Sequence, residues 1–219
     1  MNNVRVKGFN DITFWQDSGI GLIVLRSDDN GLINWNAINE LVAAIGTASI
    51  DDKVKSIAVT GMNEHFSVGL KADSTDFETA KAILESANSL ISLIYSLEKP
   101  VFSVLSGDAI DAGYELALLG DVVISHEENR VGFNRGYNFS IGGSITVQKF
   151  RNKLDLCDAS EGSNVDVLLP KDKLLDEAKK YILNHQDYSY HLLRRRSMRG
   201  LRESILEERE NFLRQFGSA

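Results

Sequence analysis

The sequence predicts an α/β fold in which most neighbouring strands run parallel. Short apolar stretches rich in valine and isoleucine alternate with longer stretches of helical periodicity from about residue 20 to residue 125. Buried strands that alternate with helices are typical of units whose strands pair in parallel. The chain has 219 residues, 43% of them hydrophobic, which is enough to bury the core that such a fold requires.

Each element follows from its local pattern. β-Forming residues flank Asp17-Ser18-Gly19, which predicts a hairpin made by DITFWQ and GIGLIVLRS. Apolar residues recur at helical spacing in NWNAINELVAAIGTAS and again from Phe77 to Leu97, where Lys99-Pro100 stops the helix. Apolar strands are predicted at VKSIAVTG, VFSVLSG and DVVISH, with a short helix, AGYELALLG, between the last two.

The C-terminal part of the chain is predicted to be helical and charged. We divide the sequence into an α/β core, residues 1–165, and a C-terminal helical region, residues 166–219. LPKDKLLDEAKKYILNHQ has helical periodicity after Pro170, and YHLLRRRSMRGLRESILEERENFLRQF alternates acidic and basic residues around Gly200. That alternation is typical of a solvated helix face with i,i+4 ion pairs. Its apolar stripe would pack on the core or on a neighbouring subunit and comprises Leu201, Ile205, Phe212 and Phe216.

Composition and charge exclude several classes of function. A net charge of −7 argues against binding to nucleic acids or anionic membranes. No apolar run reaches the roughly 18 residues of a membrane span, and MNNVRVKGFND lacks a secretory core, so we expect a soluble cytoplasmic protein. The four histidines show no ligand spacing, which with one cysteine predicts no metal site. No dinucleotide-binding or P-loop glycine motif is present.

Two strand-to-helix turns and one glutamate could carry chemistry. HFSVGLKAD and SGDAIDAGYELA each place backbone N–H groups at a turn or helix start, and two such turns facing each other could hold an oxyanion. Glu115 lies early in a helix and is followed by apolar residues. It is either a helix N-terminal glutamate favoured by the helix dipole or a general acid/base tuned by partial burial.

Taken together, these segments resemble the crotonase family, the enoyl-CoA hydratase/isomerase superfamily, from about Ile12 to Phe216. INWNAINELVAAI looks like the family's Asn-Ala-Leu-Asn helix start, and HFSVGLKAD resembles its Phe-Ser-Ala-Gly-Ala-Asp loop. KPVFSVLSGDAIDAGYELALLGDVVIS resembles its Lys-Pro-Val … Gly … Gly-Gly-Gly-Cys-Glu-Leu-Ala … Asp signature. The order and spacing of the pieces make the resemblance specific.

The resemblance implies a fold, an assembly and a substrate class. The fold would consist of repeated ββα units, and the assembly would be a homotrimer or a dimer of trimers. The substrates would be acyl-CoA thioesters, with coenzyme A as part of the substrate and no separate cofactor. By position, the backbone N–H groups of Leu70 and Ala112 would form the oxyanion hole, and Glu115 would be the catalytic carboxylate.

The resemblance also suggests which residues contact the substrate. Arg135 and Tyr114 are predicted to contact the acyl part. The predicted coenzyme A contacts are Asn34, Ala37, Val68 and Lys71. Four aromatic residues either wall the acyl pocket or belong to the core, namely Tyr114, Phe133, Tyr137 and Phe139.

The sequence departs from the family at the position of a second glutamate. Hydratases of the family hold water between two glutamates, of which the first corresponds to Glu115 and the second ends a Phe-Gly-x-Pro-Glu segment. Here the segment is VGFNR, so Arg135 takes that place. The triple glycine becomes Asp111-Ala112-Gly113, and Lys71 replaces an aspartate. A segment before DVLLP is missing, and the C-terminal region is expected to be shorter than in the family.

Arg135 leads us to expect weak or absent hydration of enoyl-CoA. Arginine stays protonated at neutral pH and cannot act as a general base. A guanidinium close to Glu115 would also lower the pKa of that carboxyl. Isomerisation, which needs one base, remains open, as does a decarboxylase or hydrolase in which Arg135 binds a substrate carboxylate. The alternative is a crotonase-fold protein that binds acyl-CoA, or serves assembly, with little catalysis.

Overall fold

A seven-stranded sheet organises the fold. The computed structural model describes residues 4–6, 8–62, 64–72, 74, 76–134, 155–161, 164–187 and 200–216. The strands of this sheet, in spatial order, are β1 (Val4–Val6), β2 (Ile12–Asp17), β3 (Ile20–Leu25), β5 (Ser56–Thr60), β8 (Val101–Val104), β10 (Val122–Ser125) and β13 (Val167–Leu168). β1, β2 and β3 pair antiparallel, whereas β3, β5, β8, β10 and β13 pair in parallel. The predicted parallel pairing is confirmed.

The predicted hairpin joins β2 and β3 through a two-residue turn. Ser18 and Gly19 both have positive φ angles, 54° and 85°. Positive φ at both central residues gives the turn the twist that matches the flanking strands. The hairpin prediction is therefore confirmed, with the turn at the predicted residues.

Two smaller sheets consist of strands too short to show a periodic pattern. The four-stranded sheet has the order β12 (Cys157–Asp158), β11 (Arg130–Gly132), β9 (Asp108–Ile110), β6 (His65–Ser67). The two-stranded sheet pairs β4 (Ile33–Asn34) with β7 (Leu70–Lys71). β5, β8 and β10 of the large sheet are each followed in the chain by a strand of the four-stranded sheet, namely β6, β9 and β11. A helix then follows β6, after the short β7, and another helix follows β9. This order is the repeated ββα unit that the resemblance implies, so the predicted fold class is confirmed.

Helices cover the sheets at the positions that the apolar periodicity predicts. They are α1 (Ala37–Ile50), α2 (Phe77–Ser96), α3 (Ala112–Leu118), a 3-10 turn at Lys171–Lys173, and the helices Leu174–Asn184 and Leu201–Phe216. Asp76 caps the start of α2, because its carboxylate accepts a hydrogen bond from Thr79 N at 2.8 Å. The last helix starts after Gly200, and its Ile205 packs against the main core. None of the helices in the described ranges is long and apolar enough to cross a membrane.

Both faces of the large sheet are buried. Ile57 and Val101 face the core formed with α1 and α2, whereas Ala58 and Phe102 face the helix Leu174–Asn184. This explains why the strands read as continuous apolar runs rather than as alternating ones. β13 and this helix lie in the predicted C-terminal region, where the strand extends the large sheet and the helix packs on it.

Candidate functional site

Three parallel strands, β6, β9 and β11, bring the predicted site residues to one edge of the four-stranded sheet. β6 pairs with β9 and β9 pairs with β11, in both cases parallel. Their carboxyl ends therefore lie side by side. Leu70 follows β6, Ala112 follows β9 and Asn134 follows β11. Ligand sites of parallel sheets commonly lie at this edge.

Leu70 turns its backbone N–H away from the neighbouring strand. In the ladder between β4 and β7, Ile33 N donates to Gly69 O at 3.1 Å and Trp35 N donates to Lys71 O at 3.0 Å. Backbone groups of successive strand residues point to opposite sides, so the N–H of Leu70 points away from β4. No residue in the described ranges accepts a hydrogen bond from it. Among the described residues, this donor is therefore not used within the protein.

Ala112 N–H, the second predicted donor, stands at the first position of α3. The first N–H groups of a helix have no partner within the helix, and no described residue accepts a hydrogen bond from this one. The start of α3 is pressed against the end of β6, because a Cβ built at Gly113 would lie 1.9 Å from Ser67 O. Ser67 Oγ in turn accepts a hydrogen bond from Gly69 N at 3.2 Å. The two segments that carry the donors are thus held against each other.

Asp111 ties the start of α3 to the segment after β11. Its backbone N donates to Gly132 O at 2.9 Å, and its carboxylate accepts hydrogen bonds from Asn134 N at 2.8 Å and Asn134 Nδ2 at 3.1 Å. Its φ of 52° and ψ of −124° belong to a region that glycine adopts readily. This role was missed in the sequence analysis. The sequence did indicate it indirectly, because Asp111 is a polar residue at a position where the family that this sequence resembles has glycine.

Glu115 lies in the first turn of α3 and is 2% exposed. Its backbone N donates to Asp111 O at 3.0 Å, and the residue makes a further interaction within the chain. A carboxyl group buried to this extent requires hydrogen-bonding or charged partners. Both features that the sequence suggested for Glu115, a position in the first helical turn and burial, are present at once.

Tyr114 is part of the core beside the candidate site. It is 1% exposed, and its ring meets that of Phe133 edge-on, with 5.6 Å between ring centroids. Asn164 donates to the Tyr114 hydroxyl from its backbone N at 3.3 Å and from Nδ2 at 3.4 Å. Burial raises the pKa of the Tyr114 phenol, and the bonds from Asn164 oppose this rise. A contact of Tyr114 with substrate stays a prediction.

The four predicted coenzyme A contacts gather around the short sheet of β4 and β7. Asn34 and Lys71 are partners in its register, and Val68 and Ala37 flank the two strands in the chain. Ala37 is fully buried at the start of α1, whereas Lys71 is exposed, with its Nζ 3.9 Å from the Asp28 carboxylate. The structure therefore places an exposed cation next to the Leu70 donor. The role of these residues in coenzyme A binding stays a prediction.

Three predicted residues lie outside the described part of the chain, namely Arg135, Tyr137 and Phe139. The predicted ion pair between Arg135 and Glu115 thus stays a prediction. The described segment ends at Asn134, the residue that Asp111 holds beside the start of α3.

The fold is one found in solved hydratase structures. A crystal structure of an enoyl-CoA hydratase from Mycobacterium avium subsp. paratuberculosis matches with a TM-score of 0.77 over 93% of this chain and 89% of that chain. The sequence identity is 19%, so this likeness concerns the fold alone.

The sequence itself identifies the family. Residues 16–155 match the family model described as Enoyl-CoA hydratase/isomerase, and the chain belongs to this family. It is 30% identical over 115 residues to the human "Peroxisomal bifunctional enzyme", a match that covers 52% of this chain and 16% of that protein. It is 24% identical over 181 residues to "Probable enoyl-CoA hydratase echA8" of Mycobacterium tuberculosis, covering 75% of this chain and 70% of that protein.

Proposed function

We propose that the protein binds acyl-CoA thioesters and catalyses proton transfer at the carbon next to the thioester carbonyl. The N–H groups of Leu70 and Ala112 would hold the carbonyl oxygen, and Glu115 would remove and return the proton. One observation carries this proposal: two backbone N–H groups without described acceptors lie at one edge of the sheet, and a buried carboxylate follows within one helical turn.

The chemistry explains why these groups belong together. When a base removes the proton, the electron pair of the C–H bond moves toward the thioester and negative charge develops on the carbonyl oxygen. Two fixed N–H donors stabilise that charge without reorganisation, and one such donor typically contributes about 3–4 kcal/mol. A positioned general base contributes roughly 10²–10⁴-fold in rate. One carboxylate is sufficient for this step.

Arg135 favours proton transfer over hydration. Hydration of an enoyl thioester requires activation of a water molecule in addition to a proton at carbon, and the family assigns this work to two glutamates. Arg135 replaces the second one and stays protonated at neutral pH. We therefore propose isomerase-type chemistry, with a decarboxylation as a variant in which Arg135 binds a substrate carboxylate.

Exchange of substrate protons with solvent tests the proposal directly. The protein is incubated with butyryl-CoA in D₂O, and loss of the proton signal next to the carbonyl is followed by NMR. We expect exchange with the wild type and a loss of about 10²-fold or more in Glu115→Gln. Glu85→Gln is the matched control, because Glu85 is exposed on α2, and it should exchange at the wild-type rate. Equal rates in wild type and Glu115→Gln would contradict the proposed base.

Crotonyl-CoA tests the expected effect of Arg135. Hydration is followed by the loss of absorbance of the conjugated thioester, for the wild type and for Arg135→Glu. We expect weak hydration in the wild type and an increase in the variant, which regains the second carboxylate. Robust hydration by the wild type would show that Arg135 does not disable the reaction.

A binding protein with little catalysis is the second candidate. It is favoured by Arg135, which stands where a hydratase of the family carries its second glutamate. Calorimetry with acetyl-CoA and octanoyl-CoA separates the two candidates. Tight binding without exchange or turnover would favour the binding protein, and absence of binding at millimolar ligand would exclude both.

A further inference from the structure

The strand β11 is held to β9 by a carboxylate near each of its ends. At the start of β11, Arg130 N donates to the Asp108 carboxylate at 2.8 Å. Beyond its last residue, Asn134 N donates to the Asp111 carboxylate, also at 2.8 Å. Asp108 is the first residue of β9, and Asp111 directly follows its last residue. The two aspartates thus make the same kind of bond at opposite ends of one strand pair, and Asp111 is the one at the edge of the candidate site.

Asp111 extends the ladder between the two strands by one hydrogen bond. β9 and β11 pair in parallel with Ile110 opposite Gly132, and Asp111 N donates to Gly132 O at 2.9 Å. In a parallel ladder, the next bond would run from Asn134 N to the backbone carbonyl of Asp111. That carbonyl instead accepts a bond of the first turn of α3, from Glu115 N at 3.0 Å. The Asp111 carboxylate takes its place as the acceptor for Asn134 N.

Only a side chain with an acceptor can do this at residue 111. The backbone of Asp111 already serves both β11, through its N–H, and α3, through its carbonyl. The carboxylate holds Asn134 by main chain and side chain, because Asn134 Nδ2 donates to it as well, at 3.1 Å. Glycine, which the family has at this position, carries no side chain that could accept either bond. The chain after β11 is therefore directed here by the substituted residue itself.

The bonds from Asn134 direct the chain more than they stabilise the fold. Asn134 is exposed and Asp111 is half-buried. Without the carboxylate, water would satisfy the exposed N–H, so the net contribution to stability is modest. What the carboxylate adds is a fixed direction in which the chain leaves β11. Arg135 is the next residue of the chain, so its main chain starts from the point that Asp111 holds.

We propose that Asp111 is a positioning residue for residue 135 in the reaction. Its carboxylate holds the chain after β11 beside the first turn of α3, which carries Glu115. The two departures from the family, at residues 111 and 135, therefore act together, because the aspartate determines where the side chain at residue 135 starts relative to Glu115. In what it says about catalysis, this inference rests on the proposed function.

Amide hydrogen exchange of Asn134, followed by NMR in the intact protein, tests the bond itself. Asp111→Gly removes the acceptor without backbone strain, so the Asn134 amide should exchange about tenfold faster or more. Asp111→Asn keeps an acceptor oxygen and should change this rate by less than about threefold. Asp108→Ala is the matched control, because it removes the same kind of bond from Arg130 and should leave Asn134 unchanged. An unchanged Asn134 rate in Asp111→Gly would overturn the proposal.

Hydration of crotonyl-CoA by Arg135→Glu gives the functional readout, because we expect a carboxylate at residue 135 to restore this reaction. Adding Asp111→Gly to this variant should lower kcat for hydration about 10- to 100-fold, since the new carboxylate would no longer be held in place. Proton exchange of butyryl-CoA, which requires Glu115 and the two donors but not residue 135, should remain nearly unchanged. Adding Asp111→Asn or Asp108→Ala instead should preserve most of the hydration.

The two readouts separate the positioning role from the proposed function. Hydration that is equally fast with and without the Asp111 carboxylate would overturn the positioning role. An equal loss of hydration and proton exchange would do the same, because it would indicate general damage to the site. Absence of hydration in Arg135→Glu alone would contradict the proposed effect of residue 135, and the amide exchange of Asn134 would then decide whether Asp111 holds the chain.

Discussion

A methyl group at residue 113 would collide with the main chain of β6. The Cβ built at Gly113 lies 1.9 Å from Ser67 O and 2.5 Å from Ser67 C, whereas real Cβ contacts essentially never fall below 3.0 Å. Gly113→Ala therefore requires the start of α3 and the end of β6 to separate by 3.0 − 1.9 = 1.1 Å. Ser67 is fully buried, so close-packed neighbours resist this movement on both sides.

The separation has a cost in stability and a consequence for the proposed oxyanion hole. Overpacking of this kind costs about 1–3 kcal/mol in the free energy of unfolding. In a chain of this size, each kcal/mol lowers Tm by about 2–4 °C. Ala112 comes directly before Gly113, which would be displaced. Leu70 comes three residues after the end of β6, from which Gly113 would move away. A displacement of about 1 Å between the two donors would slow the proposed proton exchange about 10²-fold.

Gly46→Ala is the matched control for this prediction. Gly46 lies inside α1, and a Cβ there would have no heavy atom within 4 Å. The control should gain about 0.5–1 kcal/mol, because alanine suits a helix interior better than glycine. Urea denaturation followed by circular dichroism measures both variants, and exchange of butyryl-CoA in D₂O measures the site. Gly113→Ala with wild-type stability would refute the geometric argument, whereas lost stability with unchanged exchange would refute only the assignment of the donors.

Four further variants, at three residues, test the surroundings of the site and of the large sheet by urea denaturation. Asp111→Ala and Asp111→Gly both lose the hydrogen bonds from Asn134, but only glycine adopts the positive φ without strain. We therefore expect Asp111→Gly to be about 1 kcal/mol more stable than Asp111→Ala. Equal stability of the two variants would contradict backbone strain at residue 111. The hydrogen bond from Lys179 holds the pKa of Asp17 below its usual range. The stabilisation from this ion pair is present above about pH 4 and is lost as pH falls through the lowered pKa of Asp17 in the folded state. Asp17→Asn should therefore flatten the pH dependence of the free energy of unfolding below about pH 4. An unchanged slope would contradict a contribution from the Asp17–Lys179 pair. Tyr114→Phe keeps the buried ring and removes the hydroxyl group, which accepts two long hydrogen bonds from Asn164, so it should cost less than about 1.5 kcal/mol. A larger loss would show that the hydroxyl group contributes more than these two bonds.

The long elements could be predicted because their apolar patterns span several turns or a whole strand. The helix from Phe77 to Ser96 and the hairpin around Ser18 are of this kind. The strands β6, β9 and β11 could not be predicted, because each has only three residues and its neighbours lie far away in the chain. These short strands are the ones that bring the predicted donors to one edge.

The candidate site could be predicted only in part. The resemblance picked out Leu70, Ala112 and Glu115 from the order of their motifs. The bonds from Asn134 to Asp111, and the need for glycine at residue 113, depend on contacts between distant segments and leave no local pattern. The buried Thr60 hydroxyl, which has no hydrogen-bond partner among the described residues, leaves no local pattern either, since its strand reads as an ordinary apolar run.

The amino-acid sequence by itself determined the α/β class, the family, the order of the helices and the loss of the second glutamate at Arg135. These properties follow from local periodicity and residue identity, which do not depend on the three-dimensional arrangement of the chain. Only the tertiary structure decided which backbone N–H groups are left without an acceptor among the described residues. The register between β4 and β7 turns Leu70 N–H away from β4, and Ala112 N–H at the start of α3 has no acceptor in the described ranges. Pairing between distant strands sets these directions, so they emerge only once the whole chain is folded.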